Sequence, residues 1–236
     1  MIPALADTIN QRDEDMASEQ VENYLKNIYK LSSNEGKVTT SSLSEKLQIS
    51  PASVSEMIKK LAEEGTLTHT PYKGVELTDE GKLLALRIIR KHRLWEMFLV
   101  QVLHFGWDEI DDEAERFEHI MSDKMEEKID HALGHPMIDP HGDPIPTKDG
   151  EIKCSMSYPM IEAREGSIVR VLRVSDSNSE MLHYVSSIGI SLNKEIHIKQ
   201  KMNFDNSLLV KINNKEINIS STIASNIFVE NVQDKI

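Results

Sequence analysis

Apolar positions return at helical spacing from Val21 onward: Val21, Tyr24, Leu25, Ile28, Tyr29 and Leu31 predict a helix that Asn34-Glu35-Gly36 ends. Residues 1–17 carry no such period and read as a polar extension. Ser42 with Glu45 fits a capping box that opens a short helix through Leu47. Gln48-Ile49-Ser50 is a tight turn, with Ser50 as N-cap and Pro51 at the first helical position of the next helix. That helix turns Val54, Met57, Ile58 and Leu61 inward and stops at Gly65, which makes the pair a helix-turn-helix. TLTHT and GVELT around Pro71-Tyr72-Lys73-Gly74 then predict a β-hairpin, the wing of a winged helix.

Thr78 caps a long helix running through RIIRKHRLWEMFLVQVLH, and residues Asp108 to Leu133 read as one acidic helix. A link rich in Pro, Gly and His follows, GHPMIDPHGDPIPTKDGEI. From about Ile161 the period changes to two in SIVRVLRV, EIHIKQKM, SLLVKI, KEINIS and NIFVENV. Five such runs suggest a small β-barrel. The expected fold is therefore mainly α, with a winged helix-turn-helix, a helical dimerisation domain and a small C-terminal SH3-like β-barrel. The expected divisions are an extension at 1–17, a DNA-binding domain at 18–80, a helical domain with its link at 81–160, and the barrel at 161–236.

At 236 residues, 39% hydrophobic and 28% charged, the chain fits a soluble multi-domain protein. No apolar run reaches membrane-spanning length, so no membrane partner is expected. Cys154 is the only cysteine, which rules out an internal disulfide and agrees with a reducing cytoplasm. It lacks a zinc-type partner spacing and reads as a small buried residue. The net charge of −12 is uneven: residues 16–95 carry 12 Lys/Arg against 10 Asp/Glu, whereas 96–166 carry 6 against 18. The N-terminal module can therefore still meet phosphate.

The acidic middle carries the chemistry. At roughly 100° per residue, Asp111, Glu115, Glu118 and His119 fall within an arc of about 100° on one helix face. Ile110, Ala114, Phe117 and Met121 gather on another, the core-facing stripe. Three carboxylates and an imidazole on one strip repel each other unless a cation joins them. A solvated acidic face is the plain alternative. His92 and Glu96, at i and i+4 on the preceding helix, add a second imidazole–carboxylate pair and favour a divalent transition metal.

On the second helix of the reading motif, Ala52, Ser53, Ser55, Glu56, Lys59 and Lys60 face away from the apolar stripe, and Pro51 at its start is a further candidate for DNA contact. The serines suit base edges and Ala52 a thymine methyl. Lys59, Lys73, Thr40 and Ser41 suit phosphates. No arginine is poised for guanine, which predicts modest direct readout of a double-stranded operator.

Winged helix, two ligand-bearing helices, DPHGDPIP link and small β module, in that order, resemble the diphtheria toxin repressor/manganese transport regulator (DtxR/MntR) family. RKHRLWE, DDEAERFEHIMSD and LGHPMIDPHGDPIP carry the likeness, from about residue 18 to the C-terminus. It implies a metal-activated, homodimeric repressor, not an enzyme, whose third domain is similar to an SH3-like, FeoA-type module. It implies ligands at His92, Glu96, Glu115, Glu118 and His119. Asp111 stands where some members place a histidine, Asp139 and His141 match ligand positions in some three-domain members, and members supply a further ligand near Glu180. Asn23 stands where manganese-type members have Asp, and Lys26 where some have Glu. Those two departures disfavour a close binuclear site and favour two separated ones. Where some members have cysteine, Glu115 and Asp139 leave an oxygen and imidazole set, which suits Mn(II), then Fe(II).

Dimerisation is expected on Trp95, Phe98, Leu99, Val102 and Leu103, and metal-uptake genes are the expected targets. Two other readings are a metal-independent winged-helix regulator with a protein-binding middle, and a helical-bundle metalloenzyme. No second Glu-x-x-His helix supports the latter.

Overall fold

The computed structural model describes residues 19–33, 36–70, 74–153, 156–176 and 178–232. The expected extension at 1–17, the Asn34-Glu35 helix end, the Pro71-Tyr72-Lys73 turn and Cys154 lie outside the described residues. The chain forms two compact units. The first comprises the described residues up to Lys91, with Glu118–Met121 and Pro146–Glu151; the second comprises His92–Phe117, Ser122–Ile145 and the described residues from Ile152 onward.

In the first unit α1 is helical over 19–33, followed by α2 (Thr40–Leu47) and α3 (Pro51–Glu63). The turn between α2 and α3 is sharp because Gln48 adopts a left-handed conformation, φ 56°. Ser50 then accepts from the Ser53 N–H ahead of Pro51, which closes the N-terminus of α3. The cap of α2 differs from expectation: Thr39 is the N-cap, its side chain accepting from the Ser42 N–H while the Ser42 hydroxyl accepts from the Thr39 N–H. Ser42 is the third helical residue, so the helix begins three residues earlier than the Ser42–Glu45 pairing implied.

Strands β1 (Leu67–Thr70) and β2 (Gly74–Leu77) pair antiparallel, Leu67 opposite Leu77 and Thr70 opposite Gly74. Val38 bridges to Val75 on the other side of β2. Only glycine fits at 74, where φ is 101° and a Cβ would lie 2.3 Å from the Val38 carbonyl oxygen. Leu25, Ile28, Leu43, Val54, Ile58, Leu61, Leu67 and Val75 form the core under this winged helix. Thr78 Oγ1 accepts from Gly81 N at the start of α4 (Asp79–Gln101), whose residues up to Lys91 belong to this unit.

In the second unit the remainder of α4 is followed by α5 (Asp111–Glu118) and α6 (Asp123–Ala132). The single acidic helix expected over Asp108–Leu133 is thus two. Ser122 accepts from Met125 N and caps α6, and a capping serine starts a new helix where it would only weaken an existing one. Leu99, Ile110 and Ala114 pack with Trp95 and Val100, and Trp95 lies 5.0 Å from Phe117 between ring centroids. Of the residues expected at a dimer face, Leu99 is buried in this core, Trp95 and Phe98 are half-buried, and Val102 and Leu103 are 48% and 51% exposed.

The C-terminal part is an antiparallel sheet of β3 (Tyr158–Pro159), β4 (Ile168–Val174), β5 (Glu195–Lys201), β6 (Leu208–Ile212), β7 (Lys215–Ile219) and β8 (Ile227–Asn231). Its order is β3-β8-β4-β5-β6-β7. All five predicted strands are present. The closed barrel is not: among the described residues no pairing joins edge strands β3 and β7. Bulges at Val171/Arg173 and Ile198/Gln200 bend the sheet without closing it. Helix α7 (Ser179–Ser187), capped by Asn178, and α8 (Ser221–Ser225), capped by Ser220, complete the unit.

The link is fastened to β4 at Gly142. There φ is 92°, a Cβ would lie 2.0 Å from the Leu172 carbonyl oxygen, and Val174 N donates to the His141 carbonyl at 2.9 Å. Gly142→Ala is expected to destabilise the chain by the 1–3 kcal/mol typical of backbone strain, as an order of magnitude, plus the cost of moving β4. Gly134→Ala, also at positive φ but with nothing within 4 Å, should show the backbone cost alone. Paired denaturant titrations of the two variants measure the difference.

Candidate metal centres and DNA-reading face

The second unit brings six predicted ligands around the middle of α4. His92 and Glu96 are one turn apart and buried, with Nε2 and Oε1 3.7 Å apart. His92 Nε2 lies 3.2 Å from Asp111 Oδ1, and its Nδ1 lies 3.8 Å from Glu115 Oε2 on α5. Glu96 Oε1 also faces His141 Nδ1 at 3.4 Å. His92–Glu96–Asp111 and Glu96–Asp139–His141 each present ligand atoms within 4.8 Å of one another, with Glu96 common to both.

The link positions its two ligands by short-range bonds. Asp139 Oδ1 accepts from the backbone N–H groups of His141 and Asp143, so the DPHGD turn is built on its own first carboxylate. Asp139 Oδ2 lies 3.2 Å from Arg93 Nε, and Arg93 also reaches Asp143 at 3.4 Å. The His141 ring stacks on Trp107, and its Nε2 lies 2.7 Å from the Trp107 carbonyl, to which it donates. That bond directs Nδ1 at Glu96 and fixes the tautomer a metal ligand needs.

Burial and then the facing Glu96 push the Asp139 carboxyl up, to about 8, while Arg93 acts the other way. Burial alone would lower the His141 imidazole, but Glu96 and Asp139 outweigh it and raise it to about 9.

In the first unit Glu118 and His119 meet α1. His119 Nδ1 lies 2.6 Å from Glu22 Oε2, and its Nε2 lies 3.3 Å from Glu118 Oε1. Glu118 is fully buried and pairs with the buried Lys26 ammonium. Glu22 is a partner that sequence reasoning missed. Its only signal was a carboxylate beside Asn23, one turn before Lys26, in an otherwise apolar stripe.

Glu180 is exposed, in the first turn of α7, and joins no ligand group among the described residues. The exposed end of that helix is tied elsewhere, through His183 to Asp108 at 2.8 Å.

Whether these residues fit a metal is tested by the buried atoms left over. Asn23 Oδ1 and His119 Nε2 in the first unit, and Glu96 Oε1 and His141 Nδ1 in the second, are buried without a hydrogen bond. Buried polar atoms are almost always satisfied, and all four are lone-pair ligands once the imidazoles lose their protons. The set is oxygen and nitrogen, suited to a divalent transition ion.

On α3, Pro51, Ala52, Ser53, Ser55 and Lys59 are exposed, as is Ser41 on α2; Thr40 is half-buried. Ser55 Oγ donates to the Pro51 carbonyl and Ser53 Oγ contacts Ser50 Oγ, so both side chains are held by local hydrogen bonds. Lys59 is paired only loosely, at 3.9 Å from Glu63. Lys73 lies outside the described residues.

Three family models match in series: the iron-dependent repressor N-terminal DNA-binding domain over 16–75, its metal-binding and dimerisation domain over 78–147, and a FeoA domain over 158–231. A solved manganese-dependent transcriptional repressor in complex with manganese is 38% identical, with a TM-score of 0.83, covering 90% of this chain and 100% of that one. The chain belongs to the diphtheria toxin repressor family.

The diphtheria toxin repressor of Corynebacterium efficiens is 28% identical over 222 residues, 89% of this chain and 95% of the relative. The iron-dependent repressor IdeR of Mycobacterium tuberculosis is 36% identical over 125 residues, 53% and 54% of the two. As a metal-dependent transcriptional repressor of this family, the chain is not an enzyme, and the metalloenzyme and metal-independent readings fall away. Among the described residues no helix is long and apolar enough to cross a membrane.

Because His141 must lose its proton to ligate, metal uptake at Glu96–Asp139–His141 is expected to release protons and to strengthen as pH rises toward about 9. Calorimetry in two buffers of different ionisation enthalpy should show the release, and His141→Ala should reduce it. In the metal-free protein the same raised value adds stability that is full below the ordinary histidine value of about 6.5. That contribution is lost as pH climbs through about 9.

Proposed function

We propose that the chain is a manganese-activated repressor of metal-uptake genes, with iron(II) as the second choice, acting as a homodimer on a double-stranded operator. The observation that carries this reading is the set of buried, unsatisfied ligand atoms within each unit, in a chain whose winged helix has an open α3 surface. Asn23, Glu118 and His119 form one ligand group. His92, Glu96, Asp111, Glu115, Asp139 and His141 supply the other. The donor set contains only oxygen and imidazole nitrogen, which supports manganese over thiolate-seeking zinc. The solved relative with manganese agrees with that choice.

The ion supplies charge neutralisation and a fixed geometry; the residues supply the coupling. Glu118 ends α5 and His119 follows it, and Asn23 stands on the helix that leads into the reading head. Holding them together restricts the separation that two α3 helices can adopt in a dimer. Paired half-sites demand one separation, so the metal raises the DNA-competent fraction without touching DNA. His92 and Glu96 on α4, joined with Asp139 and His141, hold the link in place. Val102 and Leu103 provide an apolar surface for the partner subunit.

Electrophoretic mobility shifts with a chelator, then with added Mn(II), test the switch; operator affinity should appear only with the ion. Glu115→Ala combined with His119→Ala should abolish the metal response while leaving the fold intact by circular dichroism. Equal affinity with and without metal would sink the reading.

A further inference from the structure

The first-unit cluster contains a cation of its own. Lys26, on α1, is only 2% exposed and its ammonium pairs with Glu118 Oε1, the same oxygen that faces His119 Nε2 at 3.3 Å. Asn23 Oδ1, one turn earlier on α1, is buried without a hydrogen bond. A buried lysine is retained only where an anion compensates its desolvation, and here that anion is a proposed metal ligand. A divalent ion sits about 2–2.5 Å from an oxygen ligand, inside the space an ammonium in contact with that oxygen commands.

We infer that Lys26 is a resident competitor for the metal: its ammonium neutralises Glu118 in the metal-free chain and must leave Oε1 before the ion can engage it. This rests on the metal-activated reading. The two carboxylates Glu22 and Glu118 with Lys26 carry a formal charge of −1. A divalent ion brings the cluster to +1, whereas without the lysine it would reach zero. Lys26 therefore raises the metal concentration at which the cluster fills, and holds it to a single ion. The buried pair also keeps Glu118 from sitting uncompensated when metal is scarce, so the chain stays folded in its inactive form.

The test is metal binding itself, read by Mn(II) electron paramagnetic resonance titration and calorimetry on the full chain. Lys26→Met, close in length and uncharged, should tighten binding of one manganese equivalent by at least about tenfold. Lys26→Gln serves as a second variant should the first fail to fold. Lys26→Glu should go further and admit an additional equivalent, since it replaces a cation with a ligand. Glu118→Gln with His119→Ala is the control and should remove one equivalent. If the control loses its equivalent while Lys26→Met and Lys26→Gln bind as the wild type does or more weakly, the competitor role is overturned and the metal reading stands. If the control binds as the wild type does, the first-unit cluster is not a metal site, and the competitor role falls together with that cluster's part in the metal reading.

Discussion

Carboxylates and imidazoles buried together need a cation, and this requirement organises the molecule. Glu96, Asp139 and His141 are buried in one unit and Glu118 in the other, with His119 nearly so. The chain meets part of the need itself, with Arg93 at Asp139 and Lys26 at Glu118. What it leaves is specific: single lone-pair atoms of Glu96, His141, His119 and Asn23 without a hydrogen-bond partner. Such a remainder costs stability unless something compensates it, and its atoms are of the kind that ligate a divalent ion.

The scaffold makes that shell sensitive to geometry. Helix α4 carries His92 and Glu96 a turn apart, and the link adds Asp139 and His141 through a turn that uses Asp139's own carboxylate as its hinge post. Gly142 lets the link lie against β4, and Trp107 fixes the ring of His141. These supports are made by backbone and aromatic contacts. A ligand set held this firmly distinguishes ions by size and preferred geometry more than by raw affinity. The core and caps of the reading head lie within its own residues.

How much could be read in advance varied with the range of the interaction. The turn before Pro51, the cap at Thr78 and the five longer strands were legible because capping, proline placement and period-two alternation act within a few residues. Two local signals were misread. Ser122 opens a helix instead of continuing one, and Thr39, not Ser42, caps α2. The two-residue β3 was too short to leave a pattern, and closure of a sheet depends on which edges meet, something alternation along a strand does not encode. Glu180 was placed by likeness alone, and the structure leaves it exposed.

By itself the sequence determined the chemistry on offer: acidic and imidazole groups at helical spacing, a helix-turn-helix with its wing, and an alternating C-terminal third. It could do so because each is a regularity between near neighbours. Only the tertiary structure decided which of those groups share a site. It joined Glu96 to His141 across 45 positions, gave His119 to Glu22, and set Lys26 against Glu118 from 92 positions away. Burial strips water from such pairs and makes their charges matter, and burial is a property of the packed chain.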